Sequence, residues 1–430
     1  MSPSSFLPPF SLHMPHWPKP PVGCIPSGTP SQRTRALLGK LGNPELRLPP
    51  VVHVGGTKGK GSTIAFLRFM LQAAGYKVHA YTSPHIARFN ERIVLAGHEI
   101  DDDTLYEIIE AARIASGDTP VGFFDATTAA AMLAFADHPA DILLMEMGLG
   151  GAVDATNIID HPLLTILTTV SYDHMEYMGT TLPEIARFEA GLLKPGTPCV
   201  ASYQHPDVWP TLETLSANIK APLYSYGKHW LTRRIADGMI FADSYGEAKL
   251  PLPSLLGAHQ IVNAGNATAA LSVMEDFDVR EEHVTRGLMQ TEWKGRLQKL
   301  PCHILPAECE LWFDGGHNIA AAQAIGIFAA QTWHDKPFYL IFGTSEDKDV
   351  KSILEPFTSH AKGFYSVGVK SEPKSYSAQA IAEAARPVAG VTPCDGIEDA
   401  LRAILRDADG APFRALVFGS LYLWLEANSL

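Results

Sequence analysis

From residue 51 onward the chain alternates short apolar runs with stretches of helical period, the pattern of an α/β fold. Residues 51–54, 78–81, 142–145 and 165–168 read as buried strands. Residues 62–74 read as a helix, with Ile64, Leu67, Met70, Leu71 and Ala74 on one stripe and Gly75 as its stop. Further helices are expected near 103–115, 126–136 and 182–193, the last ending at Lys194-Pro195-Gly196. Residues 220–250 look irregular, with short strands only, and an Ala-rich helix follows over 260–274. After Trp293-Lys294-Gly295-Arg296 a second alternation begins, with strands at 310–313, 338–342, 363–368 and 414–418. The chain therefore divides into an arm over 1–30, a domain over 31–295 and a smaller α/β domain over 296–430.

Composition changes this picture little. The 430 residues are 46% hydrophobic and 19% charged, which excludes a wholly disordered chain. A net charge of −12 argues against broad nucleic-acid or membrane-surface binding. The five cysteines, Cys24, Cys199, Cys302, Cys309 and Cys394, are scattered and contain no C-x-x-C pair, so neither a disulfide framework nor a structural zinc site is indicated. No run is long enough to span a membrane. The first thirty residues hold nine prolines and one charge, Lys19, and Pro8 and Pro9 interrupt the only candidate signal sequence. An extended arm without chemistry, and a cytosolic protein, are expected.

Candidate chemistry lies at the ends of the strands. Gly55-Gly56-Thr57-Lys58-Gly59-Lys60-Gly61-Ser62-Thr63 joins a strand to a helix, where backbone N–H groups and the helix dipole suit phosphate oxygens. Lys60 would reach the outer phosphates. The strict phosphate-loop pattern fails twice, because Val54 takes the first glycine position and Gly61 the hydroxyl position; Ser62 supplies a hydroxyl one residue late. A Gly-rich turn with a solvated lysine is the plainer alternative. Glu146 ends an apolar strand and would point into the crevice where open sheets bind ligands, suited to Mg²⁺ beside a phosphate loop. The alternative is a surface carboxylate. His174, after the next strand, could reach the same crevice or be structural. Asp314-Gly315-Gly316-His317-Asn318 offers Asp314 and His317 to phosphate or metal, or is simply an Asp-Gly turn followed by an Asn helix cap.

Over residues 32–430 the chain resembles folylpolyglutamate synthase and dihydrofolate synthase, members of the Mur ligase superfamily. The resemblance rests on an ordered series. It comprises residues 53–63, Thr82-Ser83-Pro84-His85 with Arg88-Phe89-Asn90-Glu91-Arg92, and Glu146 through Asp154-Ala155-Thr156-Asn157. It continues with Asp173-His174, Ala190-Gly191, His259-Gln260 with Asn263-Ala264, Gly295-Arg296, residues 314–318 and Gly419-Ser420-Leu421-Tyr422-Leu423. The resemblance implies a phosphate-loop ATPase domain of Mur-ligase type with a mostly parallel sheet, and a smaller Rossmann-like C-terminal domain. It implies ATP and Mg²⁺ as cofactors, and a pterin or folate and L-glutamate as small-molecule substrates. A carboxylate would be activated as an acyl phosphate and attacked by the glutamate amine; no nucleic acid or membrane is involved and a monomer is expected.

By the same resemblance Gly56, Thr57, Lys58, Gly59, Lys60, Gly61 and Ser62 meet the ATP phosphates, and Ser83, Glu146 and His174 meet the metal. Asn263, Arg296 and Asp314 face ATP, His317 lies near phosphate or glutamate, and Ser420 lies near glutamate. Four departures stand out. Glu189 replaces a lysine that relatives carry in carbamylated form, and as a shorter carboxylate would substitute for it. Ala152 stands where bacterial relatives have Arg, Lys58 where they have Asn, and the start of Gly343-Thr344-Ser345-Glu346-Asp347-Lys348-Asp349 is altered. These leave open a paralogous ligase with another acceptor, a phosphotransferase or ATPase, and a degenerate nucleotide-binding protein.

Overall fold

A computed structural model describes residues 28–372 and 374–430. The first 27 residues of the Pro-rich arm lie outside it. The described chain forms two compact units, one of residues up to Ser254 with His259–Glu292, the other of Leu255–Ala258 with Trp293–Leu430.

The first unit is built on an eight-stranded sheet. Its strands are β1 (Val51–Gly55), β2 (Val78–Tyr81), β3 (Ile93–Leu95), β4 (His98–Glu99), β5 (Ile142–Glu146), β6 (Leu164–Leu167), β7 (Cys199–Ala201) and β8 (Leu223–Ser225). Their order is β4-β3-β2-β5-β1-β6-β7-β8. Only the edge pairs β2–β3 and β3–β4 are antiparallel. The helices are α1 (Pro30–Lys40), α2 (Lys60–Ala73), α3 (Asp102–Ser116), α4 (Phe123–Asp137), α5 (Met175–Met178), α6 (Leu182–Glu189), α7 (Trp209–Ile219), α8 (Ala258–Val273) and α9 (Glu281–Gln290). β1, β5 and β6 read as continuous apolar runs because a parallel sheet is covered on both faces, and every residue of the three is buried.

The stripe expected on α2 is present: Ile64, Leu67, Met70 and Leu71 are inaccessible to solvent, while Ala74 is only half-buried. Each such large side chain contributes roughly 1.5–3 kcal/mol of burial. The helix starts two residues earlier than its apolar period suggests, so Lys60 lies in its first turn. α6 is also shorter than expected. It ends at Glu189, and Ala190–Leu192 tightens into a 3-10 turn.

The short strands expected within 220–250 are present, but over 230–250 they pair regularly instead of lying in an irregular segment. They form a three-stranded antiparallel sheet of β9 (Trp230–Ile235), β10 (Gly238–Asp243) and β11 (Gly246–Leu250). Two-residue connections, Ala236-Asp237 and Ser244-Tyr245, each lead into a glycine. They are hairpin signals that the weak alternation of β11 obscures.

The second unit holds a six-stranded sheet in the order β12-β13-β17-β14-β15-β16. Its strands are β12 (Gln298–Leu300), β13 (Glu310–Asp314), β14 (Phe338–Phe342), β15 (Ala361–Ser366), β16 (Val391–Pro393) and β17 (Arg414–Phe418). Only β12 runs antiparallel to its neighbour. α10 (Ile319–Thr332), α11 (Val350–Leu354), α12 (Ala378–Ala385), α13 (Ile397–Asp407) and α14 (Trp424–Asn428) complete it. The short edge strands β12 and β16 were not legible in the apolar pattern because their burial is partial.

Candidate active site

In the first unit the chemistry gathers where β1, β2, β5 and β6 end. The register sets Val54 beside Glu146 and Gly55 beside Leu167. The chain leaves β1 through a turn that only glycine allows. Gly56 has φ +110°, and a Cβ there would stand 2.4 Å from Thr168 Oγ1. Gly59 has φ +92°, and its Cβ would stand 2.2 Å from Asn263 Oδ1. Thr168 closes the turn by donating both its N–H (2.8 Å) and its hydroxyl (2.9 Å) to Gly55 O.

The expectation that the loop N–H groups close on phosphate needs refinement. The N–H groups of Thr57 and Lys58 are already spent on Thr169 O, at 3.2 and 3.1 Å. What remains is the first turn of α2, whose N-cap, Gly59, has no side chain to cover the N–H groups of the turn. Lys60 folds back to donate to Gly56 O at 2.7 Å. Lys58 is largely desolvated, which lowers its pKa, and the charge of Asp173 opposes that shift. Ser62 is buried and accepts from Gln260 Nε2 of α8 at 3.3 Å, so its hydroxyl oxygen faces α8. Asn263 donates to Gln260 Oε1 at 2.9 Å, which orients its Oδ1 at Gly59.

Two carboxylates border the loop. Glu146 is buried at the end of β5 and accepts the Ser83 N–H at 3.0 Å, so Ser83 and Glu146 are brought together from adjacent strands. Glu189 is also buried. Its Oε1 lies 3.5 Å from Thr57 Oγ1, and its Oε2 has no partner. Burial raises its pKa, while the Lys60 charge and the Gly56 N–H pull the other way. Thr57 Oγ1 also lies 3.3 Å from Ser171 O and accepts the Ser171 N–H at 3.1 Å. Its single proton serves either Ser171 O or Glu189, so the carboxylate keeps spare acceptor capacity in either case. Ser171 Oγ is likewise buried without a partner.

His174 heads α5 in the left-handed region at φ 45°, half-exposed, with its Nε2 3.9 Å from the Asp173 carboxylate. Among the described residues no group of three or more His, Cys, Asp or Glu side chains is arranged to hold a metal. The oxygen donors beside the loop, Glu146, Ser83 and the half-satisfied Glu189, nevertheless suit Mg²⁺. That ion takes one or two carboxylates and fills its shell from phosphates and water.

In the second unit Asp314 ends β13, buried from water. Its Oδ2 accepts from Leu297 N (2.8 Å) and its Oδ1 from Gly316 N (2.7 Å). Burial raises its pKa and the neighbouring Arg296 charge opposes the rise. Arg296 donates to Gly295 O at 3.1 Å, and Gly315 N bonds Gly295 O at 2.9 Å. His317 Nδ1 lies 3.3 Å from Gly315 O. Asn318 does cap α10, accepting from Ala321 N at 3.0 Å, so this motif includes the helix cap that its sequence allowed. Ser420 caps the short 3-10 turn Leu421–Leu423 through Tyr422 N.

Sequence reasoning missed the supports beneath these groups. Gln204 holds the strand end after β6 by donating to Thr168 O (2.9 Å) and accepting from Val170 N (2.8 Å). A buried chain runs from His53 Nε2 to Thr156 Oγ1 (2.9 Å) and on to Asp154 Oδ1 (2.5 Å). The signal was the run Asp154-Ala155-Thr156-Asn157, three residues after Gly151, but nothing in the spacing named its partners.

Residues 54–271 match the Mur ligase middle domain model. The dihydrofolate synthase/folylpolyglutamate synthase of Bacillus subtilis is 31% identical over 350 residues, 75% of this chain and 77% of that protein. The folylpolyglutamate synthase of Lacticaseibacillus casei is 30% identical over 91% of this chain and 92% of its own length. Among solved structures, E. coli FolC in complex with DHPP and ADP superposes with a TM-score of 0.85, at 27% identity, over 94% of each chain. A bifunctional folylpolyglutamate synthase/dihydrofolate synthase with Mn, AMPPNP and L-glutamate bound gives a TM-score of 0.83 at 26% identity, again over 94% of each. The chain belongs to the folylpolyglutamate synthase/dihydrofolate synthase family of Mur ligases.

Proposed function

We propose that this chain is an ATP-dependent ligase that adds L-glutamate to a folate-type carboxylate, with the loop after β1 as its phosphoryl-transfer centre. The acceptor carboxylate takes the γ-phosphoryl group of ATP, giving an acyl phosphate and ADP. The glutamate amine, having lost a proton, attacks the acyl carbon; phosphate then leaves with the C–O bond electrons and takes up the second proton that the nitrogen gives up, and an amide remains. Such a reaction asks for positioning and charge neutralisation rather than a protein nucleophile.

In this reading Gly56, Thr57, Lys58, Gly59, Lys60, Gly61 and Ser62 cradle the ATP phosphates, and Lys60 exchanges Gly56 O for a phosphate oxygen. Ser83, Glu146 and His174 would hold Mg²⁺, which neutralises phosphate charge when bound. Glu189 supplies a further carboxylate at the loop, in place of the longer arm of its relatives. Asn263, Arg296 and Asp314 serve ATP, and His317 and Ser420 serve the phosphate and glutamate end. Dihydropteroate and folates already carrying glutamate are both acceptors within the proposal. The domains divide near residue 295, and the enzyme works as a cytosolic monomer. Its four described cysteines are unpaired thiols, as a reducing compartment leaves them, and no described helix is long and apolar enough to cross a membrane.

The observation that carries this reading is the buried Glu189 carboxylate, set against the phosphate loop and Lys60 with one oxygen unpartnered. Lys60→Met should lower kcat for ADP formation by about 100-fold or more, the scale of losing one charge-stabilising donor. Glu189→Gln should lower it by at least about tenfold, because the neutral amide keeps the shape and loses the charge. Wild-type kcat in Glu189→Gln would remove Glu189 from the machinery.

A further inference from the structure

The sequence motif Asp154-Ala155-Thr156-Asn157 lies outside the groups assigned to substrates, yet its side chains are buried and committed. Asn157 is the informative one. Its Nδ2 donates to two backbone carbonyls in different segments, Gly151 O at 3.1 Å and Gly191 O at 3.0 Å, while its Oδ1 is buried without a partner. The reverse amide orientation would point an oxygen at both carbonyls, so the network fixes which way the group faces. A buried amide left half-unsatisfied brings little net stability. Its effect is geometric: one amide ties together the segment at Gly151 and the segment at Gly191.

Those segments are in backbone contact. A Cβ on Gly151 would stand 1.7 Å from Phe188 O, and one on Gly191 would stand 2.2 Å from Ala152 N. The second segment carries Glu189, immediately after Phe188 and two residues before Gly191. The first segment leads back to Glu146, since Asp154 Oδ2 accepts the Leu149 N–H at 2.7 Å and so shapes the loop leaving β5. Through Thr156 the same motif reaches His53 on β1, the strand that runs into the phosphate loop.

We infer that Asn157 is a positioning residue for the reaction: by joining Gly151 O to Gly191 O it holds the Glu189 carboxylate against the phosphate loop. The inference rests on the reading of Glu189 given above. Asn157 touches no substrate in it. Shortening the side chain leaves the loop and Lys60 in place and lets the 188–191 turn move. A displacement of the order of 1 Å at a charged group costs up to about 100-fold in rate.

The test is a double-mutant cycle on kcat for ADP formation, with Mg·ATP, L-glutamate and a folate acceptor saturating. It uses Asn157→Ser, Glu189→Gln and the double variant, with thermal unfolding as a control. Asn157→Ser should lower kcat about 10- to 100-fold, leave the KM for ATP within about twofold, and cause no further loss once Glu189 is Gln. Multiplying losses in the double variant would overturn the proposal, as would wild-type kcat in Asn157→Ser beside an impaired Glu189→Gln. Wild-type kcat in Glu189→Gln would overturn the underlying reading, and this proposal with it. Should the serine variant fail to fold, Asn157→Thr provides the same cycle with a bulkier side chain in the cavity.

Discussion

Gly59 is a point where one methyl group decides the outcome. Its Cβ would stand 2.2 Å from Asn263 Oδ1, and its φ of +92° is strained for any other residue. Gly59→Ala should therefore abolish measurable nucleotide binding by calorimetry while the melting temperature falls by only a few degrees. His53 gives a second test at this scale. Thr156 spends its hydroxyl proton on Asp154, so the His53 Nε2 must be the donor to Thr156 and its Nδ1 carries no proton. Burial, helped by the Lys194 charge, pushes its pKa down to about 3 from an ordinary 6.5. Folding therefore requires the neutral ring: its contribution is whole above pH 6.5 and is lost as pH falls from there toward 3. Nitrogen NMR should find one imidazole fixed as the Nε2–H tautomer throughout pH 5 to 8, values on the order of a unit either side of the ordinary histidine range. Titration of the His53 ring itself near 6.5, identified by its loss in His53→Gln, would contradict this. The loop residues and Glu146 were legible in sequence because glycine spacing and strand ends are local signals. The His53–Thr156 pair, 103 residues apart, carries no local signal.

Among the elements, α6 matters most because its last residue is Glu189. A capping box starts it: Thr181 accepts from Glu184 N at 3.4 Å, and Glu184 accepts from Thr181 N at 3.0 Å. Thr181→Ala should cost about 1 kcal/mol in chemical denaturation, the usual value of an N-cap. The central strands β1, β2, β5, β6, β13, β14, β15 and β17 were readable from sequence, since burial makes them apolar runs, whereas the two- and three-residue strands β3, β4, β7, β12 and β16 were too short to show a pattern. The sheet of β9–β11 was not readable either. Trp230 and Thr232 face inward while Leu231 and Arg233 are exposed, so an apolar residue falls on the wet side and blurs the alternation. The end of the α6 helix was placed four residues late because Ala190–Leu192 keeps a helical composition while adopting the tighter 3-10 turn.

At the scale of the whole molecule, each unit presents its polar groups at the carboxyl ends of its parallel strands, the position open α/β sheets use for ligands. The opposite end of the second sheet is given to stability. Arg414 donates to Glu310 at 2.7 Å and to both oxygens of Asp335, at 2.7 and 3.0 Å. Burial alone would raise the pKa of Glu310, but hydrogen bonds from Trp312, Lys299 and Arg414 bring it down to about 2 from 4.5. The stabilisation is whole above pH 4.5 and is lost as pH falls toward 2. Arg414→Met removes the bonds to Glu310 and Asp335 but leaves Glu310 with Trp312, Lys299 and Lys336, and should destabilise the protein by about 2 kcal/mol at neutral pH, with a shallower loss on acidification. An unchanged unfolding midpoint would contradict that assignment.

The central claim is the joining of glutamate to a folate-type carboxylate at the expense of ATP. The most direct measurement supplies Mg·ATP and L-glutamate with dihydropteroate or tetrahydrofolate, follows ADP release, and weighs the product. The account predicts ADP release that depends on the pterin and a product heavier by one glutamate residue in at least one of the two reactions. ADP release from folded protein with neither pterin gaining mass would contradict it.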